Sequence, residues 1–225
     1  MHTKLSTILA AMTLSMVAFG QAQDTSFQIR YAANLTSGDS VINLTNTGAN
    51  GAALNGPGFG GAVGNICVNV YAFSPDEQLI SCCSCLITPN GLASLSVNND
   101  LVSNTLTGVR PNSVVIKLLA TSSAAALLGV AGGSTNCTNS AALAGVAVGG
   151  GAVQFPIVNG MLAWGTTNHV GIPATSFATT ETAFIPATLS AGELASITGR
   201  CTGIIGNGSS FGICRSCRVG GLRAQ

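Results

Sequence analysis

The stretch Ile66–Ile87, ICVNVYAFSPDEQLISCCSCLI, places two β-rich runs on either side of a short polar segment. Ser-Pro-Asp-Glu-Gln at 74–78 is typical of a turn, so the stretch predicts an antiparallel hairpin of residues 66–73 and 79–88. A turn centred on Asp76 would set Cys67 opposite Cys85, within reach of a disulfide. This is the best single pairing that the sequence offers, although a slip of one residue would put the two sulfurs on opposite faces.

Further short segments of the same kind surround this hairpin. They are rich in β-branched residues and separated by Gly, Pro, Asn and Asp, which is typical of consecutive strands. Residues 67–71 and 92–97 alternate as half-buried antiparallel strands do. The sequence therefore predicts a mainly β fold, an antiparallel β-sandwich-like domain held by disulfides. The other predicted strands are 26–31, 40–46, 113–120, 153–158, 161–166 and 176–185.

One helix is predicted in the second half of the chain, at about residues 190–206. Ser190 and Glu193 match a capping box, and the apolar residues that follow them recur at helical spacing up to Ile205. A rival interpretation takes Asn207-Gly208 as a hairpin turn, which would set Cys201 opposite Cys214. We favour the helix because the cap and the periodicity agree.

The domain organisation follows from composition. Residues 1–22 have a basic start, an apolar run and small residues at their end, which predicts a cleaved secretory signal peptide rather than an uncleaved anchor. Residues 23–225 then form a single β-rich domain, with an Ala- and Gly-rich insertion at about 120–151 that includes a short helix near 124–131. We expect a secreted protein, extracellular, at the cell surface or in the periplasm, without membrane insertion after cleavage.

Charge is sparse and nearly balanced. The chain has eight Lys and Arg against seven Asp and Glu, and removing the leader with Lys4 makes the two counts equal. Such a balance argues against nucleic acid as a partner. Proteins near zero net charge associate readily, so the expected partner is another copy of the same chain, as a homo-oligomer or surface assembly.

Eight cysteines are the most reactive residues of the sequence. In a cytosolic protein their clusters would suggest a zinc or redox site, but export favours disulfides. Side chains alternate along a strand, so Cys83 and Cys85 would share one face while Cys82 points to the other. The disulfide candidates are Cys67, Cys82, Cys83, Cys85, Cys137, Cys201, Cys214 and Cys217.

No set of residues in the sequence converges on catalysis. Residues 208–212, Gly-Ser-Ser-Phe-Gly, match a hydrolase elbow pattern, but neither an acid nor a histidine follows Ser210. His169, the only histidine outside the leader, has no second ligand near it in sequence. We therefore predict no catalytic residue, no metal, no cofactor and no enzymatic activity. Trp164 and Tyr71 are the candidate platform for a carbohydrate or small ligand.

Four runs carry a resemblance. NICVNVYAFSPDEQLISCCSCLITPNGLASLSVNNDLVSNTLT, MLAWGTTNH, LSAGELASI and FGICRSCRVGGL together resemble a family of uncharacterised secreted bacterial proteins. The resemblance implies that the cysteine framework belongs to an exported bacterial module, and it brings no activity.

The function that these observations predict is that of a non-catalytic exported structural or cell-surface protein that associates with itself. An extracellular carbohydrate or small-ligand binding module is the alternative, and a thiolate metal or redox protein is a weaker one.

Overall fold

The computed structural model describes residues 24–52, 64–123, 137, 140–144, 155–170 and 177–215. The predicted signal peptide and the predicted helix near 124–131 lie outside these residues, and so do residues 53–63 of the glycine-rich segment 48–64, which the sequence predicts to be a loop. Within them no helix is long and apolar enough to cross a membrane.

The described residues form nine strands in two antiparallel sheets, which confirms the predicted fold class. One sheet has the order β4-β3-β6-β1-β9 and the other the order β5-β2-β7-β8. The strands are β1 Phe27–Ala32, β2 Val41–Asn46, β3 Ile66–Phe73, β4 Leu79–Ile87, β5 Leu92–Ser96, β6 Val114–Ser122, β7 Met161–Val170, β8 Phe177–Ala183 and β9 Ile185–Pro186. The helical elements are a π-helical turn at Val97–Leu101, the short helix α1 Ser140–Leu143 and the long helix α2 Ala191–Gly206.

Two apolar cores lie on the two faces of the five-stranded sheet. The larger core fills the space between the sheets and includes Ile42, Val70 and Leu118. A second core lies on the outer face, where Tyr71 of β3 packs in one cluster with Ala141 of α1 and Ile197 of α2. The molecule is therefore a sandwich with an added helical layer, and each fully buried Ile or Leu contributes about 1.5–3 kcal/mol.

Strands β3 and β4 are buried on both faces, because the helical layer covers the side that a two-layer sandwich would leave to solvent. The prediction that residues 67–71 form a half-buried strand is therefore wrong. Their alternation of polar and apolar residues is real, but Asn69 contacts other polar groups in the interior instead of water.

Helix α2 begins as the capping signal predicts. The Ser190 hydroxyl accepts a hydrogen bond from the Glu193 backbone N–H at 3.1 Å. The Glu193 carboxylate, expected to cap the same turn, instead forms an ion pair with Lys117 on β6, with 2.5 Å between Nζ and Oε1. The helix ends at Gly206 with Asn207 as its C-cap, so the rival hairpin at Asn207-Gly208 is not formed.

The predicted strand at 153–158 is wrong for the residues described. Phe155 and Ile157 form only isolated bridges, to Ala144 and Thr121. Strand β6 continues to Ser122, two residues beyond the predicted strand end at 120.

Candidate functional site: the cysteine junction on β4

A β-bulge in the β3–β4 hairpin determines which cysteines can meet. Phe73 lies opposite Leu79, as a turn centred on Asp76 requires, but the register then shifts by one residue. Beyond the bulge, Val68 lies opposite Cys85 and Cys67 lies opposite Leu86. The predicted Cys67–Cys85 bridge is therefore wrong, because the extra residue turns the two sulfurs to opposite faces of the sheet.

Three disulfides connect this hairpin to distant parts of the chain. Their Cα–Cα distances are 5.4–6.0 Å, within the ordinary range for the bond. They enclose 70, 119 and 131 residues, so each is expected to contribute about 2–4 kcal/mol to stability. The pairs are Cys67–Cys137, Cys82–Cys201 and Cys83–Cys214.

The two adjacent cysteines of β4 point in opposite directions, as strand alternation predicts. Cys82 lies in the outer core and bonds to Cys201 on α2, whereas Cys83 lies in the core between the sheets and bonds to Cys214. One strand is thereby tied to the helical layer on one side and to the C-terminal segment on the other.

Cys85 is disulfide-bonded as well, and it is buried in the core between the sheets. Sulfurs joined in pairs are not thiolates, so the paired cysteines of this cluster offer no thiolate ligand to a metal ion. Among the described residues no group of three or more His, Cys, Asp or Glu side chains could hold a metal ion. Disulfides of this kind indicate an oxidising compartment such as the extracellular space or the periplasm.

The C-terminal segment also closes the edge of β4. The Cys82 N–H donates to the Gly212 carbonyl at 2.8 Å, and the Cys214 N–H donates to the Cys82 carbonyl at 3.4 Å. Residues 212–214 therefore lie beside β4 as a short parallel addition to the sheet, with Ile213 bridged to Cys82.

A buried polar network attaches α1 to the outer face of the five-stranded sheet. The Tyr71 hydroxyl donates to the Ala141 carbonyl at 2.6 Å, and the Ser84 hydroxyl accepts from the Ala141 N–H at 2.7 Å. Ser84 in turn donates to Asn69 at 2.5 Å. Burial raises the pKa of Tyr71, because the phenolate would be desolvated.

The two members of the predicted ligand platform are separated by the fold. Tyr71 is fully buried under α1, so it is unable to stack on a ligand and that part of the prediction is wrong. Trp164 is half-buried on the outward face of β7, opposite Asn43 on β2 and Ala183 on β8.

Arg30 is a buried cation that the sequence analysis did not identify. It projects from β1 between the sheets, 6% exposed, and donates to the hydroxyls of Thr167 at 2.7 Å and Thr182 at 3.3 Å. Its Nη1 atom is buried without a partner. Desolvation lowers the pKa of this guanidinium. The only sequence signal is its even spacing from Gln28 and Ala32, which also point inward.

The candidate catalytic residues do not assemble. The His169 ring hydrogen-bonds to Thr180 on β8 at 2.9 Å, whereas Ser210 lies in the exposed loop after α2. A groove of about 490 Å³ lies between the β3–β4 turn and α2. Its cations are already engaged, because Lys117 pairs with Glu193 and Arg200 donates to the Glu77 carbonyl at 3.0 Å.

These features define the class: a disulfide-linked antiparallel β-sandwich with a helical layer on one sheet. Comparison of the chain with protein-family models finds no match, and comparisons with curated proteins and solved structures find none either.

Proposed function

We propose that the chain is a non-catalytic exported structural protein of the extracellular space or cell surface, which associates with copies of itself through strand β8. The single observation that carries this proposal is the open edge of β8. The disulfides and the near-zero net charge support it, because both suit a protein that persists and assembles outside the cell.

The sheet edges differ in how they are protected against pairing with another chain. In the five-stranded sheet, β4 is covered by residues 212–214, and β9 has only two residues, one of them Pro186. Short strands, proline and covering segments are the ordinary protection of an edge. The four-stranded sheet ends in β5 on one side and β8 on the other.

Within the described residues, strand β8 has neither a proline nor a covering segment. It has seven residues, FATTETA, with no proline or lysine and with Glu181 as its only charge. Among the described residues it pairs only with β7, and residues 178–183 are all exposed. Its threonines favour extended structure. Such an edge is suited to accept a strand from a second molecule.

Two assemblies are compatible with this edge. If β8 pairs with β8 of a second copy, a two-fold contact closes as a dimer. If β8 pairs with β5 of the next copy, the contact is head-to-tail and generates a filament or ring. Sedimentation velocity over a range of concentrations distinguishes the two, because only the second gives species larger than a dimer.

The test is to place a lysine on each face of β8. Ala178→Lys/Ala183→Lys alters two exposed positions whose side chains point to opposite faces, so the added charges oppose pairing with another strand. We expect the unaltered protein to associate as concentration rises and this variant to remain monomeric. The matched control, Ala195→Lys/Gly203→Lys, adds the same charge to the exposed side of α2 and should associate normally.

Two results would count against the proposal. An unaltered protein that stays monomeric at every concentration removes self-association. If all three proteins associate equally, self-association is supported, but β8 is not the surface through which it occurs.

A further inference from the structure

Five Asn-Gly pairs occur in the chain, and the structure distinguishes one of them. In an Asn-Gly pair the backbone nitrogen of the glycine can attack the side-chain carbonyl carbon of the asparagine, because glycine has no side chain to shield it. The pairs are Asn50-Gly51, Asn55-Gly56, Asn90-Gly91, Asn159-Gly160 and Asn207-Gly208. Asn55-Gly56 lies outside the described residues.

In three of the described pairs the attacking nitrogen is occupied. The Gly51 N–H donates to the Gly48 carbonyl at 2.9 Å, and the Gly91 N–H donates to the Thr88 carbonyl at 2.8 Å. The Gly160 N–H donates to a carboxylate oxygen of Asp24. An amide must lose its proton before it attacks, and a hydrogen bond to a fixed acceptor protects that proton as it does in hydrogen exchange.

The Asn207-Gly208 pair differs from these three in both reacting groups, the glycine nitrogen and the asparagine side-chain carbonyl. The Gly208 N–H donates to no group in the part of the chain that the structure describes. The Asn207 side-chain oxygen accepts two hydrogen bonds from Ser209, one from the backbone N–H at 2.8 Å and one from the hydroxyl at 2.6 Å. Both donors withdraw electrons from the carbonyl, which makes its carbon more electrophilic. The pair is also exposed, with open space around Gly208.

We infer that Asn207 is a site of spontaneous, sequence-encoded deamidation. Hydroxide removes the Gly208 amide proton, the nitrogen forms a bond to the Asn207 side-chain carbon, and ammonia leaves. Water then opens the cyclic imide to aspartate or isoaspartate. The sum is an amide and water giving a carboxylic acid and ammonia, with no oxidant or enzyme. Each event lowers the formal net charge of the chain, +1 before reaction, by one.

The new carboxylate lies just beyond the last turn of α2. Helix carbonyls there carry partial negative charge, so an anion is unfavourable at this end. The two hydrogen bonds from Ser209 to the amide oxygen are also altered. We expect the modified protein to unfold at a slightly lower temperature than the fresh protein.

The experiment follows each Asn-Gly pair separately in the full-length protein. Trypsin yields residues 201–215 as one peptide, apart from 31–117 with Asn50, Asn55 and Asn90 and from 118–200 with Asn159. After incubation at mildly alkaline pH, mass spectrometry of the reduced peptides measures conversion of the amide to the acid, and fragmentation of peptide 31–117 assigns the conversion to Asn50, Asn55 or Asn90. We expect Asn207 to react about ten-fold faster than Asn90 or Asn159, since one ordinary hydrogen bond restrains their glycine nitrogens.

Matched variants test the role of Ser209. Ser209→Ala removes the hydroxyl donor and should slow the reaction at Asn207 several-fold, whereas Ser210→Ala, the adjacent serine, should leave the rate unchanged. Equal rates at Asn207, Asn90 and Asn159 would overturn the inference. Equal rates in both serine variants would show that the Ser209 hydroxyl does not accelerate the reaction.

Discussion

Replacement of Gly165 on β7 is expected to disturb the space between the sheets. A methyl group there would lie 2.8 Å from the Val41 carbonyl oxygen and 2.9 Å from Nη1 of Arg30. We expect Gly165→Ala to lower the free energy of unfolding by about 1–3 kcal/mol, as overpacking does. Urea denaturation measures the change.

A double-mutant cycle with Arg30→Met assigns the cause. The guanidinium has one unpartnered buried nitrogen, and replacing a buried charge by an apolar chain of similar length often costs little. If the clash with Arg30 contributes, the cost of Gly165→Ala becomes smaller in the Arg30→Met background. If Gly165→Ala lowers the free energy of unfolding by the same amount in the Arg30→Met background, the whole effect comes from the contact with the Val41 carbonyl.

Residue-scale prediction from sequence succeeded where a local rule applies. The Ser190 cap and the alternation of Cys82 and Cys83 follow from the geometry of one helix turn and one strand, and both are confirmed. The burial of Tyr71 was not predictable in the same way, because α1, which covers it, lies about 70 residues further along the chain. The burial of Arg30 could not be predicted from sequence either, because its hydrogen-bond partners come from β7 and β8.

Helix α2 carries glycines that its packing does not require. Added methyl groups at Gly199 and Gly203 would meet nothing within 4 Å, and both positions are exposed. We expect Gly199→Ala and Gly203→Ala each to raise the free energy of unfolding by about 0.5–1 kcal/mol, because alanine loses less backbone entropy in a helix. Thermal and urea unfolding of the oxidised protein measure this.

Gly212 is the matched control for those two substitutions. It has a φ of +75°, and a methyl group there would lie 2.8 Å from Cγ2 of Ile204. Gly212→Ala should therefore destabilise the protein. Destabilisation by Gly199→Ala as well would contradict the open surface described for α2.

The β3–β4 hairpin shows where prediction of an element from sequence ends. Both strands and the turn between them were predicted, and Phe73 does face Leu79. One additional residue in β4 then shifts every pairing beyond the Phe73–Leu79 pair. A bulge is stabilised by contacts from outside the hairpin, here the Leu106 N–H donating to the Ile80 carbonyl at 2.9 Å, so local sequence does not reveal it.

At the scale of the whole molecule, the disulfides join peptides that are far apart in the sequence. Four cysteines, including Cys85, lie in the tryptic peptide 31–117, and the other four lie in 118–200, 201–215 and 216–218. Three bridges leave Cys85 and Cys217 as the remaining cysteines, so we expect these two to pair. Without reduction, trypsin should therefore yield one cluster of all four peptides, which mass spectrometry separates after reduction.

A different connectivity gives a different cluster. If Cys82–Cys201 and Cys83–Cys214 are kept, a Cys67–Cys85 bridge would lie inside 31–117 and leave Cys137 to pair with Cys217, so that 118–200 and 216–218 would form a separate cluster. Recovery of 118–200 without any link to 31–117 would contradict the Cys67–Cys137 pairing. Titration of the unfolded, unreduced protein should find no free thiol if every cysteine is paired.

The amino-acid sequence by itself determined the extent of most strands, the start and end of α2, the antiparallel β class and the use of cysteines as disulfides. These properties depend on periods of two and 3.6 residues and on composition, which are local. Tertiary structure alone decided the bulge register, the cysteine partners, the burial of β3 and β4 on both faces and the exposure of β8. Those depend on which distant segments cover a strand, and a sheet whose pairing shifts by one residue exchanges its two faces entirely.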